Sequence, residues 1–424
     1  MKILWFTNTP CAAAEKLGAE SNRGGWLKSL EHEISNSPGV ELCISFYSAT
    51  ELEPFKYNST YYHPVFRKSN RSKISRYLKR ITGKLKDDKV EIERLLQVID
   101  QVKPDLIHIH GTEENFGLIQ AKTRLPVVIS IQGILTPYIE KFYAGVSSSA
   151  ASRYEKFFDK INFKSACFIH KNMAAKVERE KQIYKLSGYV IGRTDWDRRV
   201  AKVLAPAGKY FYNSEIMRTV FYEAVVKKSA FNKCFTIVTI SSDALYKGFE
   251  MIVQTAMILS SYTALKFTWI VIGLSENTGI VSLIKRMMRI ELTNISIKLV
   301  GSLNELEILK MLNSADVYCQ VSHIENSPNS LCEAMLTGIP VVASYAGGTS
   351  SLIDNGVDGL IVQDGDPYSL SGTILEIASD FNKSSQYGVN ARVKALRRHD
   401  KGTITNGLLN IYRTILDEKK LALC

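Results

Sequence analysis

A chain of 424 residues is longer than a single hydrophobic core ordinarily serves, so two domains are expected. Its 45% hydrophobic and 23% charged content lie near the average of folded soluble proteins, which excludes a disordered or collagen-like chain. The formal net charge of +12 calls for an anionic partner such as nucleic acid, acidic lipid or a phosphorylated substrate, without choosing among them.

No apolar run approaches the ~20 residues that span a bilayer. The apolar start, Met1 to Phe6, is too short for a signal-peptide core and reads as a first buried strand. Seven cysteines are scattered with no Cys-x-x-Cys pair, and an odd count argues against a disulfide framework. The cytoplasm is the compartment expected from this usage.

In chain order, short β-branched and aliphatic runs alternate with longer helical stretches, the pattern of βαβ units and parallel sheets. Strands are expected at 2–6, 41–47, 105–110, 126–131 and 189–194. A second series follows at 235–242, 266–273, 295–301, 317–323, 340–345 and 359–364. Most are near-continuous apolar runs, as strands covered on both faces require. The stretch 204–233 shows no clear strand, so the domain boundary is placed there, at 210/211. Residues 401–424 carry Ile404, Leu408, Ile411, Tyr412 and Ile415 at helical spacing and form a terminal helix expected to pack back on the first domain.

Parallel open sheets bind ligands outside the carboxyl ends of their strands, so chemistry is sought in the loops that follow them. No G-x-G-x-x-G follows the first strand and no Walker loop is present, which counts against dehydrogenases and P-loop kinases. The most informative segment runs from Ser322 to Met335. A strand ends near His323, a polar turn follows, and a helix begins around Pro328 to Ser330. Glu325 in the turn and Glu333 in the helix stand eight residues apart. A carboxylate accepting two neighbouring hydroxyls grips a ribose or hexose, and the helix N–H groups between them suit an anion. Taken alone, a capping box with Ser330 as N-cap and Glu333 at N3 accounts for the same pattern. Upstream, Lys247-Gly248 follows the first strand of the second series, where a lysine reaches a diphosphate; a solvated surface lysine is the plainer reading. Downstream, Gly338-Ile339-Pro340-Val341-Val342-Ala343-Ser344 and then Gly347-Gly348 supply a helix stop, a buried strand and a flexible loop.

Lys-Gly, E-x7-E, Glu-Ala-Met-x-x-Gly-x-Pro-Val-Val-Ala-Ser and Gly-Gly together resemble glycosyltransferase family 4. The resemblance is strongest over about residues 235–365. It implies an α/β GT-B architecture, two Rossmann-like domains facing each other across a cleft, and a retaining enzyme that uses a nucleoside diphosphate sugar. On that resemblance Lys247 contacts the donor diphosphate, Glu333 the ribose and Glu325 the donor hexose. The amides of Asn329, Ser330 and Leu331 lie by the phosphate, and the loop after Gly301 meets the nucleobase. Gly24-Gly25-Trp26 resembles the family's glycine loop, and Asp105 to Gly111 its Asp-x-x-His-x-His strand. There His110 lies nearer the cleft and His108 reads as a satisfied core histidine.

Three departures stand out. Ser242 occupies the place of the family's phosphate arginine, which leaves Arg193 as a candidate for the second counter-charge. Gln132 replaces the histidine after the 126–131 strand and can hydrogen-bond a sugar without sharing a proton. Ser327-Pro328 replaces Phe-Gly inside E-x7-E and removes one backbone donor.

Two Asp-x-Asp triplets, Asp195-Trp196-Asp197 and Asp364-Gly365-Asp366, sit where helices begin and read as caps. No metal and no cofactor is expected. Residues 67–89 hold ten Lys/Arg against two Asp, with Ile74, Tyr77, Leu78, Ile81 and Leu85 on one helical face. Such a helix suits an anionic membrane surface, on the inner face of the membrane; an ordinary domain helix accounts for it equally. No motif supports nucleic acid. The resulting expectation is hexose transfer to a hydroxyl of a growing or lipid-linked glycan in surface polysaccharide assembly. A nucleotide-sugar epimerase of the same fold and a non-catalytic nucleotide-sugar-binding subunit are the alternatives.

Overall fold

A computed structural model of the chain describes residues 1–18, 25–67, 88–162 and 164–421. Gly24 and nearly all of the basic stretch 67–89 lie outside the described residues. Contacts divide the chain into two compact units. The first comprises Met1–Ile139, Lys171–Ile216 and His399–Cys424; the second comprises Glu140–His170 and Met217–Arg398. The passage near the expected boundary therefore falls after Ile216. Residues 140–170, expected with the first domain, group with the second unit.

The first unit is an eight-stranded sheet. Its strands are β1 (Lys2–Phe6), β2 (Glu41–Ser48), β3 (Phe55–Tyr57), β4 (Thr60–Phe66), β5 (Leu106–His110), β6 (Val127–Ser130), β7 (Tyr189–Gly192) and β8 (Lys209–Tyr212). They run in the order β3-β4-β2-β1-β5-β6-β7-β8, parallel throughout except for the β3–β4 pair. Strand β8 corrects the expectation of no strand between 204 and 233. Its four residues are exposed or half-buried at the sheet edge, so it lacks the apolar run by which its neighbours are recognised. Every side chain of β5 is buried, as helices on both faces demand. The terminal helix Lys401–Leu421 belongs to this unit, where the Tyr412 hydroxyl accepts from Trp5 Nε1 at 3.0 Å.

The second unit carries β9 (Phe235–Ile240), β10 (Phe267–Ile272), β11 (Ile297–Gly301), β12 (Val317–Gln320), β13 (Val341–Ser344) and β14 (Leu360–Val362). All are parallel, in the order β11-β10-β9-β12-β13-β14. Helix Asn329–Thr337 buries Leu331, Cys332, Ala334, Met335 and Leu336, packing its apolar side into the core beside β12 and β13. Among the described residues no helix is long and apolar enough to cross a membrane.

In each sheet the chain winds outward in both directions from one central pair, β1/β5 in the first and β9/β12 in the second. Loops leaving the carboxyl ends of such a pair diverge and open a crevice, which is where open α/β sheets take their ligands.

Candidate functional site

Lys247 follows β9 and Glu325 follows β12, so these two residues flank the switch point of the second sheet. Their side chains meet, with Lys247 Nζ 2.5 Å from Glu325 Oε1. Burial alone would lower the lysine pKa; the Glu325 charge and hydrogen bond outweigh it, and the pKa stands above its ordinary value. The approach of the two loops depends on glycine. Gly248 has φ +73° and a Cβ there would lie 2.2 Å from the Val321 carbonyl oxygen. Gly347 has φ +55° and a Cβ there would lie 2.0 Å from the Glu325 carbonyl oxygen. Any other residue at either place pushes its loop away from the Glu325 turn. Backbone bonds complete the clamp: His323 N–H donates to the Tyr246 carbonyl at 2.8 Å, and Gly348 N–H to that of Glu325 at 2.8 Å.

Gln320, the last residue of β12, ties this turn to the following helix. Its Nε2 donates to Ser322 Oγ at 2.9 Å and lies 3.4 Å from Glu325 Oε1, while its Oε1 accepts from Ser330 Oγ at 3.1 Å. The helix starts at Asn329 with Pro328 as N-cap and no side-chain cap. The capping-box alternative is thereby corrected. Ser330 is the second helical residue and Glu333 the fifth, two places past N3. The Leu331 amide donates to the Pro328 carbonyl at 3.0 Å, so this one of the three expected phosphate amides is already engaged. Helix geometry leaves those of Asn329 and Ser330 without an intrahelical acceptor.

Glu333 has a partner the sequence did not disclose. Arg218 grips it in a two-pronged pair, Nε to Oε1 at 2.7 Å and Nη2 to Oε2 at 2.6 Å. Burial raises the Glu333 pKa against the opposing pull of that guanidinium. Ser242 is exposed in the loop after β9, and Gly301 ends the edge strand β11 with φ +70°.

A second charged group adjoins this turn. His323 lies between Glu250 and Asp364, with Nε2 2.5 Å from Glu250 Oε1 and Nδ1 2.6 Å from Asp364 Oδ1. Lys141 Nζ reaches the other Asp364 oxygen at 3.2 Å. Burial disfavours the imidazolium, yet the two carboxylates raise the His323 pKa to about 9. The two Asp-x-Asp triplets hold helix ends and loops. Asp197 closes a capping box with Thr194, Asp366 accepts from the Ser369 amide, and Asp364 belongs to the His323 group. Among the described residues no three His, Cys, Asp or Glu side chains gather as a metal site.

In the first unit the switch point lies between β1 and β5. His108 is satisfied on both ring nitrogens, by Tyr412 Oη and Ser130 Oγ, each at 2.6 Å. His110 is fully buried at the end of β5, and neither of its ring nitrogens has a hydrogen-bond partner among the described residues. Burial first, then His108 and Arg193, hold its pKa well below the usual imidazole value, so the ring is neutral. Trp26 stands 6.0 Å from the His110 ring, and the Arg193 guanidinium lies 5.3 Å from the Trp26 ring. Arg193 also donates to the Ile131 carbonyl and pairs with Glu215 at 3.3 Å. Gln132 follows β6, with its side-chain carbonyl carbon 3.4 Å from where a Cβ on Gly111 would stand. Gly25 opens helix Gly25–Ser35. His110, Gln132, Arg193 and the Gly25-Trp26 helix start are thus brought to the carboxyl ends of the first sheet's strands.

Comparison with known proteins bears on the second unit first. Residues 222–394 match the family model of glycosyl transferases group 1. The second unit carries a glycosyl transferases group 1 domain. Amylovoran biosynthesis glycosyltransferase AmsK of Erwinia amylovora is 34% identical over 88 residues, 19% of this chain and 22% of that protein. The matched stretch thus spans about a fifth of that relative's length. Among solved structures, the sucrose-phosphate synthase of Thermosynechococcus elongatus superposes with a TM-score of 0.72 at 14% identity, covering 99% of this chain and 100% of that one. Anabaena HepE in complex with UDP and glucose gives 0.62 at 17% identity, over 97% and 99%. The fold is the α/β GT-B fold, with two Rossmann-like units.

Proposed function

We propose that the chain is a retaining, metal-independent glycosyltransferase that moves a hexose from a nucleoside diphosphate sugar to a hydroxyl of a growing glycan. The observation that carries this reading is the Lys247–Glu325 pair beside the start of helix Asn329–Thr337, at the switch point of a glycosyl transferases group 1 domain. In this reading Lys247 and the amides of Asn329 and Ser330 balance the charge that builds on the departing diphosphate. Glu325 orients the hexose, and Gln320 holds the Glu325 turn against the helix. Glu333 accepts from the ribose while remaining bound to Arg218. His110, Gln132 and Arg193 serve the acceptor or phosphate side. HepE was solved with UDP and glucose, and AmsK is named for amylovoran biosynthesis; both favour a nucleotide-linked donor and a polysaccharide product here. A lipid-linked acceptor on the inner face of the membrane is part of the same proposal.

Calorimetric titration with UDP-, GDP- and ADP-sugars, with and without a chelator, tests it. One nucleotide class is expected to bind irrespective of chelator, and Lys247→Ala to weaken it at least tenfold, or about 1.4 kcal/mol. Binding by none of the panel would remove this cluster as a donor site. A product of inverted anomeric configuration by NMR would overturn retention.

A further inference from the structure

Residues 140–170 form a helical segment of the second unit, and its outer end carries an unusual surface. Helix Phe157–Ile161 buries none of its residues. Phe157 and Phe158 are each 72% exposed and Ile161 53% exposed, with the two phenyl rings 6.5 Å apart in an edge-to-face pair. Two adjacent exposed phenylalanines on a helix that contributes nothing to a core point to a surface covered by something else.

The charges around this knuckle indicate what covers it. From Arg153 to Lys171 there are five Lys/Arg against Glu155 and Asp159. Arg153, Lys160, Lys164 and Lys171 are exposed. Lys156, which immediately precedes Phe157, also lines a groove of about 530 Å³ against the neighbouring helix Gly279–Met288. Lys285, Arg286 and Arg289 line the same groove, and Arg286 Nη1 lies 3.5 Å from the Tyr154 carbonyl oxygen. The carboxylates in the groove, Glu276 and Glu291, are both held by Lys285, at 3.0 and 2.8 Å. No ion pair among the described residues engages Lys156, Lys160, Arg286 or Arg289. An apolar aromatic tip ringed by cations in excess over nearby carboxylates matches a bilayer interface, where acyl chains receive the rings and anionic headgroups the cations.

We propose that Phe157, Phe158 and Ile161 insert into an anionic phospholipid surface, with Lys156, Lys160, Arg286 and Arg289 contacting lipid phosphates. This surface is separate from the basic stretch 67–89 and goes beyond the transfer reaction. The donor site is untouched by it, so donor titration and membrane binding can fail independently.

Co-sedimentation of the full chain with phosphatidylcholine vesicles, with and without phosphatidylglycerol, tests the proposal. The wild type is expected to bind only the anionic vesicles, and Phe157→Ser/Phe158→Ser and Lys156→Glu/Arg286→Glu to need at least about tenfold more lipid for half-binding. None of the four side chains is buried, so both variants are expected to melt with the wild type. Phe158→Trp is expected to add blue-shifted emission on anionic vesicles that brominated acyl chains quench. Absence of wild-type binding, binding unaltered in both variants, or emission from the introduced indole that brominated chains leave unquenched each overturns the proposal. So does a wild-type dimer in light scattering that Phe157→Ser/Phe158→Ser renders monomeric, because a second copy would then cover the knuckle.

Discussion

At the scale of single residues, Glu333 has a structural duty that any test of ribose binding must separate from its proposed function. Both of its oxygens are held by Arg218, itself largely buried. Glu333→Ala leaves that guanidinium without its carboxylate in a low-dielectric setting, at a cost of roughly 3 kcal/mol in stability. Glu333→Gln keeps one acceptor oxygen and most of the packing, so it is expected to melt closer to the wild type. If Glu333 also grips the ribose, Gln weakens donor affinity at nearly wild-type stability. Equal donor affinity in wild type and Glu333→Gln would confine the residue to the Arg218 pair. The sequence pattern locates Glu333 because E-x7-E is local. Arg218 is not legible there, since 115 residues separate the partners and nothing near Arg218 announces a role.

At the scale of elements, most strands legible in the sequence are buried on both faces; the edge strand β11 is legible by its Ile297-to-Val300 run although only Ile297 is buried. The unbroken apolar run at residues 3–6 of β1 fits only where helices cover the sheet above and below. The strands that escape notice have a physical reason for being quiet. Strand β4 contains Pro64, which removes a ladder donor and usually argues against a strand. Strand β3 has only three residues, and β8 is a half-exposed edge. The loops that form the candidate site are legible because glycine marks them, and glycine gives a paired test. Gly248 and Gly301 have nearly the same backbone angle, φ +73° and +70°, but only Gly248 has a neighbour within 4 Å of its missing Cβ. Gly301→Ala is expected to cost about 1 kcal/mol from the left-handed backbone alone. Gly248→Ala carries that cost and also a collision with the Val321 carbonyl, which displaces Lys247 from Glu325. It is expected to melt lower than Gly301→Ala and to lose donor affinity at least tenfold. Equal effects of the two substitutions on stability and affinity would mean that the Gly248–Val321 approach does not hold Lys247 in place.

At the scale of the whole molecule, the chain passes between the two units after Ile139, His170, Ile216 and Arg398. The sequence suggests contiguous domains except for the terminal helix, which it expects to pack back on the first and which does belong to that unit. Residues 140–170 join the second unit through contacts that no local pattern encodes, among them helix Ser148–Tyr154 on helix Gly279–Met288, Gly145 and Lys141. A Cβ on Gly145 would lie 2.0 Å from Glu250 Oε1 and 2.8 Å from His323 Nε2, and Lys141 pairs with Asp364. One point where this segment meets its unit is thus the His323 group, a buried imidazolium between two carboxylates. That gives the second unit a pH dependence whose sign is fixed. The His323 pKa is raised to about 9 in the folded chain, against an unfolded value near 6.5. Its contribution is therefore complete below about pH 6.5 and is lost as pH rises through about 9. The linked free energy is on the order of 3 kcal/mol, and the group is buried enough for little of it to be screened by solvent. Calorimetric melting between these pH values is expected to show a falling Tm in the wild type. In His323→Gln the curve should start lower and run flatter, because the neutral amide has no proton to lose. A wild-type Tm that is level or rising across this interval would show that His323 is neutral in the folded chain. The segment 140–170 would then be held by the Gly145 packing, the Lys141–Asp364 pair and the contact of helix Ser148–Tyr154 with helix Gly279–Met288, without an imidazolium.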